Sequence, residues 1–577
     1  MKLLKSEFVA HRVQCFRVVL ITLVGWVLVA SSSTLAADIT VDASVNEGVF
    51  DNIAGGINFW GPTEISERFR SEVGADLYRL KLRMDQVECD ADTNTYSNYR
   101  LEGTAPSEAV DVIANANLAA ENGCKIVLQV YGIPKWLSTS IDENVVTNNL
   151  PNYAKYPPED YYVWAKVVYA GFRSLKNAGL NRIDYCEVFG EPNCGSTWYM
   201  QKMPCLVDGE VVYNCAVNGL RHNTFQVMKN FLRVYKYTAM GARAAEPDIV
   251  VGGPAIVPNI SGIWWTRYLC HFLRFYNQPM GFYSWHWYGV DEVLSSMLGK
   301  MAPYEPLSES VIKYFYKQDL EAQGFPPDYV RVFLYDIYDY LKDLEQWGQV
   351  AVRSPYSFVS SNLYRIMAEE GLSSNELFLT EWNVNHIPDR RHDTHYGASF
   401  VTKGLMDIAN SVTDGQTYYF LASKPYYDDN GYGGGWSLFT LDGSNVPKAS
   451  FNAFKLFSML GENAEQISAI CSQSDLYAIA TKDTDAVSLL ATYYVVPDNP
   501  WDPDYTLSKS VTLRVENVPF PSYNYEIYLI DGGHSNSYYG SGPELEMIDG
   551  GTGSGGFEKV MDLSVYGVVM VKLRQPE

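Results

Sequence analysis

Two glutamates, 190 positions apart, each close a short apolar run. Residues 184–189, DYCEVF, have strand character and stop at Gly190-Glu191-Pro192. Residues 377–380, LFLT, lead into Glu381 in the same way. The residue before a proline is biased toward extended backbone, so Glu191 is expected at a strand terminus. Singly, either glutamate reads as a solvated strand-end charge. As a pair they match the chemistry of glycosidic bond cleavage, in which one carboxyl protonates the leaving oxygen and the other stabilises an oxocarbenium-like carbon. The two must hold different pKa values, one protonated near neutrality and one charged. Glu191 is expected as acid/base and Glu381 as nucleophile. Direct attack would make the mechanism retaining, with the carboxyls roughly 5 to 5.5 Å apart.

Such a pair needs a scaffold that brings distant strand ends together. Strand-like runs at 55–60, 76–82, 125–131, 184–189, 249–254, 282–288, 377–381 and 417–421 alternate with helical periodicity. Eight strands alternating with helices predict an α/β fold, a parallel (β/α)8 TIM barrel, whose catalytic groups stand at the C-terminal rim. The barrel is expected over 51–460, with long loops after strands four (194–220) and six (290–355). Beyond it, short alternating runs and turn clusters, including the glycine-rich 549–556, predict a C-terminal β-sandwich over 461–577. An N-terminal strand within 37–50 is expected to join the sandwich.

Residues 1–36 read as a secretory signal: basic residues, the apolar run 18–30, then small residues before Ala37. Thirteen apolar residues fall short of the roughly 20 that span a bilayer, so the mature chain is expected to be secreted or periplasmic, without stable membrane insertion. The formal charge of −23 becomes about −26 when Lys2, Lys5, Arg12, Arg17 and Glu7 are removed. That balance repels phosphate backbones and argues against nucleic acid as a partner. Cys194, Cys205 and Cys215 crowd one loop, where a disulfide is plausible in an exported protein. Cys124, Cys186 and Cys270 sit in apolar surroundings and read as buried thiols. No CxxC pair or His-rich cluster suggests a metal, and the chemistry requires no cofactor. Forty-three tyrosines and thirteen tryptophans suit sugar faces, yet most aromatics simply fill core.

The motifs EVFGEPN, GGPA, FYSWHWYG and FLTEWN, in this order, resemble glycoside hydrolase family 39, of the retaining (β/α)8 clan. VLQVYGIPKWL at strand three and GWSLFTLDGSNVPKASFNAFKLFSML after strand eight agree with that likeness. The resemblance covers most of 38–577 and implies a carbohydrate substrate. It implies that Glu191 and Glu381 are the acid/base and nucleophile, that His286 and Tyr288 orient the nucleophile and line the sugar subsite, and that Arg79 keeps it charged. Trp60, Trp136, Trp285, Trp287 and Trp382 fall at strand ends or rim loops, where two or three are expected to stack on sugar. One position departs. The clan's usual asparagine before the acid/base, which bonds the sugar 2-hydroxyl, is Gly190 here. Asn193 or Asn58 could supply the lost contact. The gap could instead admit a 2-substituent such as a sulfate near Lys81, Arg83, Lys135 and Lys424, or the protein could bind sugar without cleaving it. Another barrel family of the same clan is the alternative within the enzymes.

Overall fold

The computed structural model describes residues 38–576 apart from 59–62, 91, 94, 102–108, 141–144, 147–149, 195–197, 199–200, 203–204, 208–209, 213–219, 222–224, 303–307, 422–431, 441–443 and 500–501. Eight parallel strands form the barrel: β1 (Gly56–Asn58), β2 (Leu77–Arg83), β3 (Lys125–Tyr131), β4 (Tyr185–Val188), β5 (Val250–Ile256), β6 (Phe282–Tyr288), β7 (Glu376–Asn383) and β8 (Gly415–Tyr418). Neighbours in sequence pair in space, and β1 pairs with both β8 and β2, which closes the cylinder. The strands are apolar because helices cover the outside while side chains fill the inside. Several connecting helices start at side-chain caps. Asp160 accepts from the Tyr162 and Val163 amides ahead of Tyr161–Asn177, and Asn259 accepts from Gly262 ahead of Ile260–Phe275.

Alternation along each strand sorts the barrel interior into layers. Its floor is dry: Leu77, Val127, Tyr185, Phe282 and Phe378 form a separate apolar cluster. The Tyr185, Phe282 and Phe378 rings lie 5.2–5.4 Å apart in edge-on or tilted contacts. Two residues further along their strands, the same inward face carries Arg79 on β2, Gln129 on β3 and Glu187 on β4. The polar layer thus rests on an aromatic plug.

The segment after β6 is a packed helical layer, with helices Val290–Met301, Glu309–Ala322, Pro327–Trp347 and Gln349–Arg353. Arg267 of Ile260–Phe275 clamps it, donating from Nε and Nη2 to the Asp336 carboxylate at 3.0 and 2.8 Å. The segment after β4 shows two short antiparallel pairs among its described residues.

The C-terminal sandwich strands form one nine-stranded sheet, in which the N-terminal strand Ile39–Val49 lies between Glu465–Cys471 and Ser508–Glu516. Strand Glu546–Gly553 occupies much of the stretch expected as turns. Glycine is tolerated there because neighbouring rings fill the missing side-chain space: a Cβ on Gly553 or Gly551 would meet Tyr523 at 2.6 Å or Tyr525 at 2.9 Å. Tyr494 of the sandwich donates to Asp291 of the barrel at 2.7 Å, tying the domains together. Among the described residues no helix is long and apolar enough to cross a membrane; the expected signal lies outside them.

Candidate active site

Strand β4 ends at Val188, and Glu191 stands beyond it in left-handed backbone (φ 48°), as does Phe189 (φ 59°). This corrects the extended geometry expected before Pro192. Main-chain bonds override the local preference: the Phe189 amide donates to Val130 O at 2.9 Å, and the Glu191 amide to Pro254 O and Ala255 O at 3.2 and 3.0 Å. Each non-glycine left-handed residue costs about 1–3 kcal/mol and persists only where its surroundings over-determine it. Here β3 and the end of β5 do so. Glu381 arrives differently. Trp285 pairs with Leu379 but His286 pairs with Glu381, so Thr380 is an extra residue in β7. This bulge turns Thr380 and Glu381 toward the interior together.

The two glutamates converge on one imidazole nitrogen. His286 Nδ1 lies 2.9 Å from Glu191 Oε1 and 3.5 Å from Glu381 Oε2. One oxygen from each carboxylate and an imidazole nitrogen fit within 4.8 Å of one another. On the far side of the ring, Arg79 Nη2 donates to Nε2 at 3.4 Å. That contact leaves the proton on Nδ1, directed at the carboxylates.

Glu381 is enclosed by donors. Its Oε1 accepts from Arg79 Nη1 at 2.6 Å and pairs with Lys81 Nζ at 2.7 Å, while its Oε2 accepts from the Tyr288 hydroxyl at 2.7 Å. Burial alone would raise its pKa. His286, the Lys81 ammonium and the Arg79 guanidinium outweigh burial and hold the carboxyl well below the usual carboxylate range. Burial pushes the Tyr288 hydroxyl far above the ordinary tyrosine value, with Glu381 adding to the effect, so it stays a donor.

Arg79 is itself fully buried. It donates from Nε to Glu187 Oε2 at 2.8 Å and from Nη1 to Asn58 Oδ1 at 2.9 Å, and Nη2 also bonds Glu187. Thr380 Oγ1 donates to Glu187 Oε1 at 2.8 Å. Glu187, 0% exposed, is a functional neighbour that the sequence reading passed over. Its signal was a lone acid inside an apolar strand, at inward parity with Glu191's own segment. Glu191, His286 and Glu381 have the donor types of a metal cage, but two cations already compensate Glu381, which suits proton transfer better than metal binding.

Other expected contacts fall elsewhere. Trp382 is fully buried outside the barrel wall, with Nε1 donating to Gln416 at 2.6 Å and its ring against Tyr418 and Tyr356. It cannot stack on sugar. Trp285 and Trp287 share that outward parity and are core residues, 0% and 3% exposed. Asn193 spends its amide on the β5 exit, donating to Val257 O at 2.8 Å and accepting from Val257 N at 3.2 Å. Asn58 bonds Arg79 and Thr380 O. Neither replaces the absent asparagine. Nor is the space at Gly190 empty: a Cβ there would meet Gln129 Nε2 at 2.6 Å, an amide held by Phe189 O at 2.9 Å. Trp136 stays on the rim, 40% exposed. Cys124, Cys186 and Cys270 are buried as expected, and Cys194 is half-buried. Trp60, Lys424, Cys215 and the side chain of Cys205 lie outside the described residues.

No family model matches the chain. A β-xylosidase of Geobacillus stearothermophilus is 23% identical over 313 residues, 53% of this chain and 48% of that protein. The chain thus spans about half the length of this curated relative. Among solved structures, a monomeric β-xylosidase from Caulobacter crescentus CB15 superposes with a TM-score of 0.62 at 14% identity, covering 94% of this chain and 100% of its own. A family 39 glycoside hydrolase from Xanthomonas axonopodis pv. citri gives 0.61 at 14% identity, with 96% and 100% covered. In sequence the chain is thus similar to a curated β-xylosidase, and in fold to solved enzymes that join a parallel barrel to a β-sandwich.

Proposed function

We propose that the chain is a secreted, retaining glycoside hydrolase cleaving a poly- or oligosaccharide by double displacement. The observation that carries this reading is the meeting of Glu191 and Glu381 at His286 Nδ1, with cations holding Glu381 ionised. In the first step the Glu191 carboxyl gives its proton to the glycosidic oxygen as Glu381 bonds the anomeric carbon and the leaving sugar departs. Oε2 is the attacking atom, because Oε1 is held by the two cations Arg79 and Lys81 while Oε2 carries only the neutral Tyr288 hydroxyl and lies on the His286 side. In the second step Glu191 takes a proton from water, whose oxygen displaces Glu381 from the sugar. The His286 Nδ1–H stabilises Glu191 while it is charged between the steps. Arg79 and Lys81 make Glu381 a good leaving group.

Catalysis is tested with Glu381→Gln on β-xylosides, the activity named for the relatives, and on plant, algal and bacterial polysaccharides. Turnover should fall by orders of magnitude while sugar binding survives; undiminished turnover would refute the assignment. A 2-sulfated sugar has one supporting feature, Lys81 beside Glu381, and one opposing feature, the Gln129 amide beside Gly190. Preference for the free hydroxyl in paired substrates removes that variant. Secretion rests on residues 1–36, and N-terminal sequencing of exported protein should begin at Ala37.

A further inference from the structure

A second concavity opens on the same end of the barrel, apart from the carboxylates. It has a volume of about 620 Å³ and is lined by residues that follow β2 (Asp85, Val87, Glu88) and β3 (Lys135, Trp136, Tyr153). It is built, not incidental. Trp136 Nε1 donates to Val87 O at 2.8 Å, and Tyr96 backs the indole in a parallel stack, 7° between planes and 5.9 Å between centroids. Asp85 is buried beneath, its two oxygens gripped by Arg83 Nε and Nη2 at 2.7 and 2.8 Å. Tyr153 donates to Asp85 O at 3.4 Å. A fixed aromatic plane with amide, carboxylate and ammonium groups around it is the composition that grips a sugar ring: apolar C–H faces on the indole, hydroxyls on the rim.

We propose that this cleft is an outlying saccharide subsite, so that the enzyme holds a chain longer than the units flanking the scissile bond. The proposal rests on the glycosidase reading and deepens it. Position supports it. Lys81, which touches Glu381, stands on β2 two residues before that strand ends at Arg83, and Asp85 follows in the turn that lines the cleft. On this proposal a saccharide bound at the carboxylates reaches Trp136 only when it extends along the rim formed by the segments after β2 and β3. The chain is then selected by length as well as by the sugar at the bond.

The test uses oligosaccharides of increasing length from the polysaccharide that the wild-type protein cleaves, β-1,4-xylo-oligosaccharides first. The wild-type kcat/KM should rise about tenfold from disaccharide to hexasaccharide, the scale of one aromatic contact. Trp136→Ala should flatten that rise, and Trp136→Phe should keep part of it. A flat wild-type profile, or a rise intact in Trp136→Ala, overturns the subsite while leaving the hydrolase standing. Titrating the same series into Glu381→Gln separates the two readings further. If no member is cleaved and none binds, both fall.

Discussion

Arg79 is the residue whose removal tests the electrostatic design most severely. It lies fully buried between two carboxylates, Glu187 and Glu381, and one of them, Glu187, has no water to turn to. Arg79→Met keeps much of the volume but strands Glu187 with only the Thr380 hydroxyl as a donor among the described residues. Breaking a buried pair from one side costs about 3–5 kcal/mol, because an uncompensated charge remains. In differential scanning calorimetry the barrel transition should drop by several degrees, at roughly 2–4 °C per kcal/mol for a domain of 150–250 residues and less for a larger one. Arg79→Met/Glu187→Gln should recover most of that loss. The double variant should not recover catalysis, since Glu381 still lacks one of its cations. Glu381's depressed pKa means that its charged form persists through the ordinary carboxylate range and is lost only deep in acid. Without Arg79 the acid limb of kcat/KM therefore moves to higher pH in both variants. A single variant within 1 kcal/mol of wild type, or an acid limb that stays put, would refute this account.

Two further perturbations probe the surroundings of the site. Gly190→Ala should cost about 1–3 kcal/mol by driving a Cβ against Gln129 Nε2, and Gln129→Ala should relieve it, a coupling that thermal melts of the double-mutant cycle will show. Asp407, buried on helix His395–Ala409, reaches the start of helix Pro355–Glu369 and accepts from the Tyr356 amide at 2.6 Å, and burial pushes its carboxyl up to about 6. The folded chain then binds a proton that the unfolded chain releases near 3.8, so stability falls as pH rises between about 4 and 6. Asp407→Asn should flatten that part of a melting-temperature profile; an unchanged slope counts against the assignment.

The barrel was legible because its strands are near-continuous apolar runs between helices, and β3 and β6 fall where the residues alone place them. The two glutamates stood out only as a pair, each closing an apolar run, while Arg79, His286 and Tyr288 entered through the likeness to family 39 and not through their own positions. Three things were hidden. The left-handed turn at Glu191 depends on amide bonds to β3 and β5, which no local preference reports. Trp287 and Trp382 looked like sugar platforms because sequence position does not reveal which side of a strand faces the helices, and the bulge at Thr380 shifts that parity within β7. The filling of Gly190's space by Gln129 joins residues 61 positions apart and required the register of β3 against β4.

The claim on which everything else depends is that Glu381 bonds the sugar. In a Glu191→Ala background, an activated aryl glycoside of the cleaved sugar still transfers its glycosyl group, because a good leaving group needs no proton. Breakdown then slows for want of a base. Mass spectrometry of the quenched protein should show one glycosyl unit added, and peptide mapping should place it on Glu381. An adduct on another residue, or turnover with water attacking directly to give the inverted anomer and no adduct, would contradict the account.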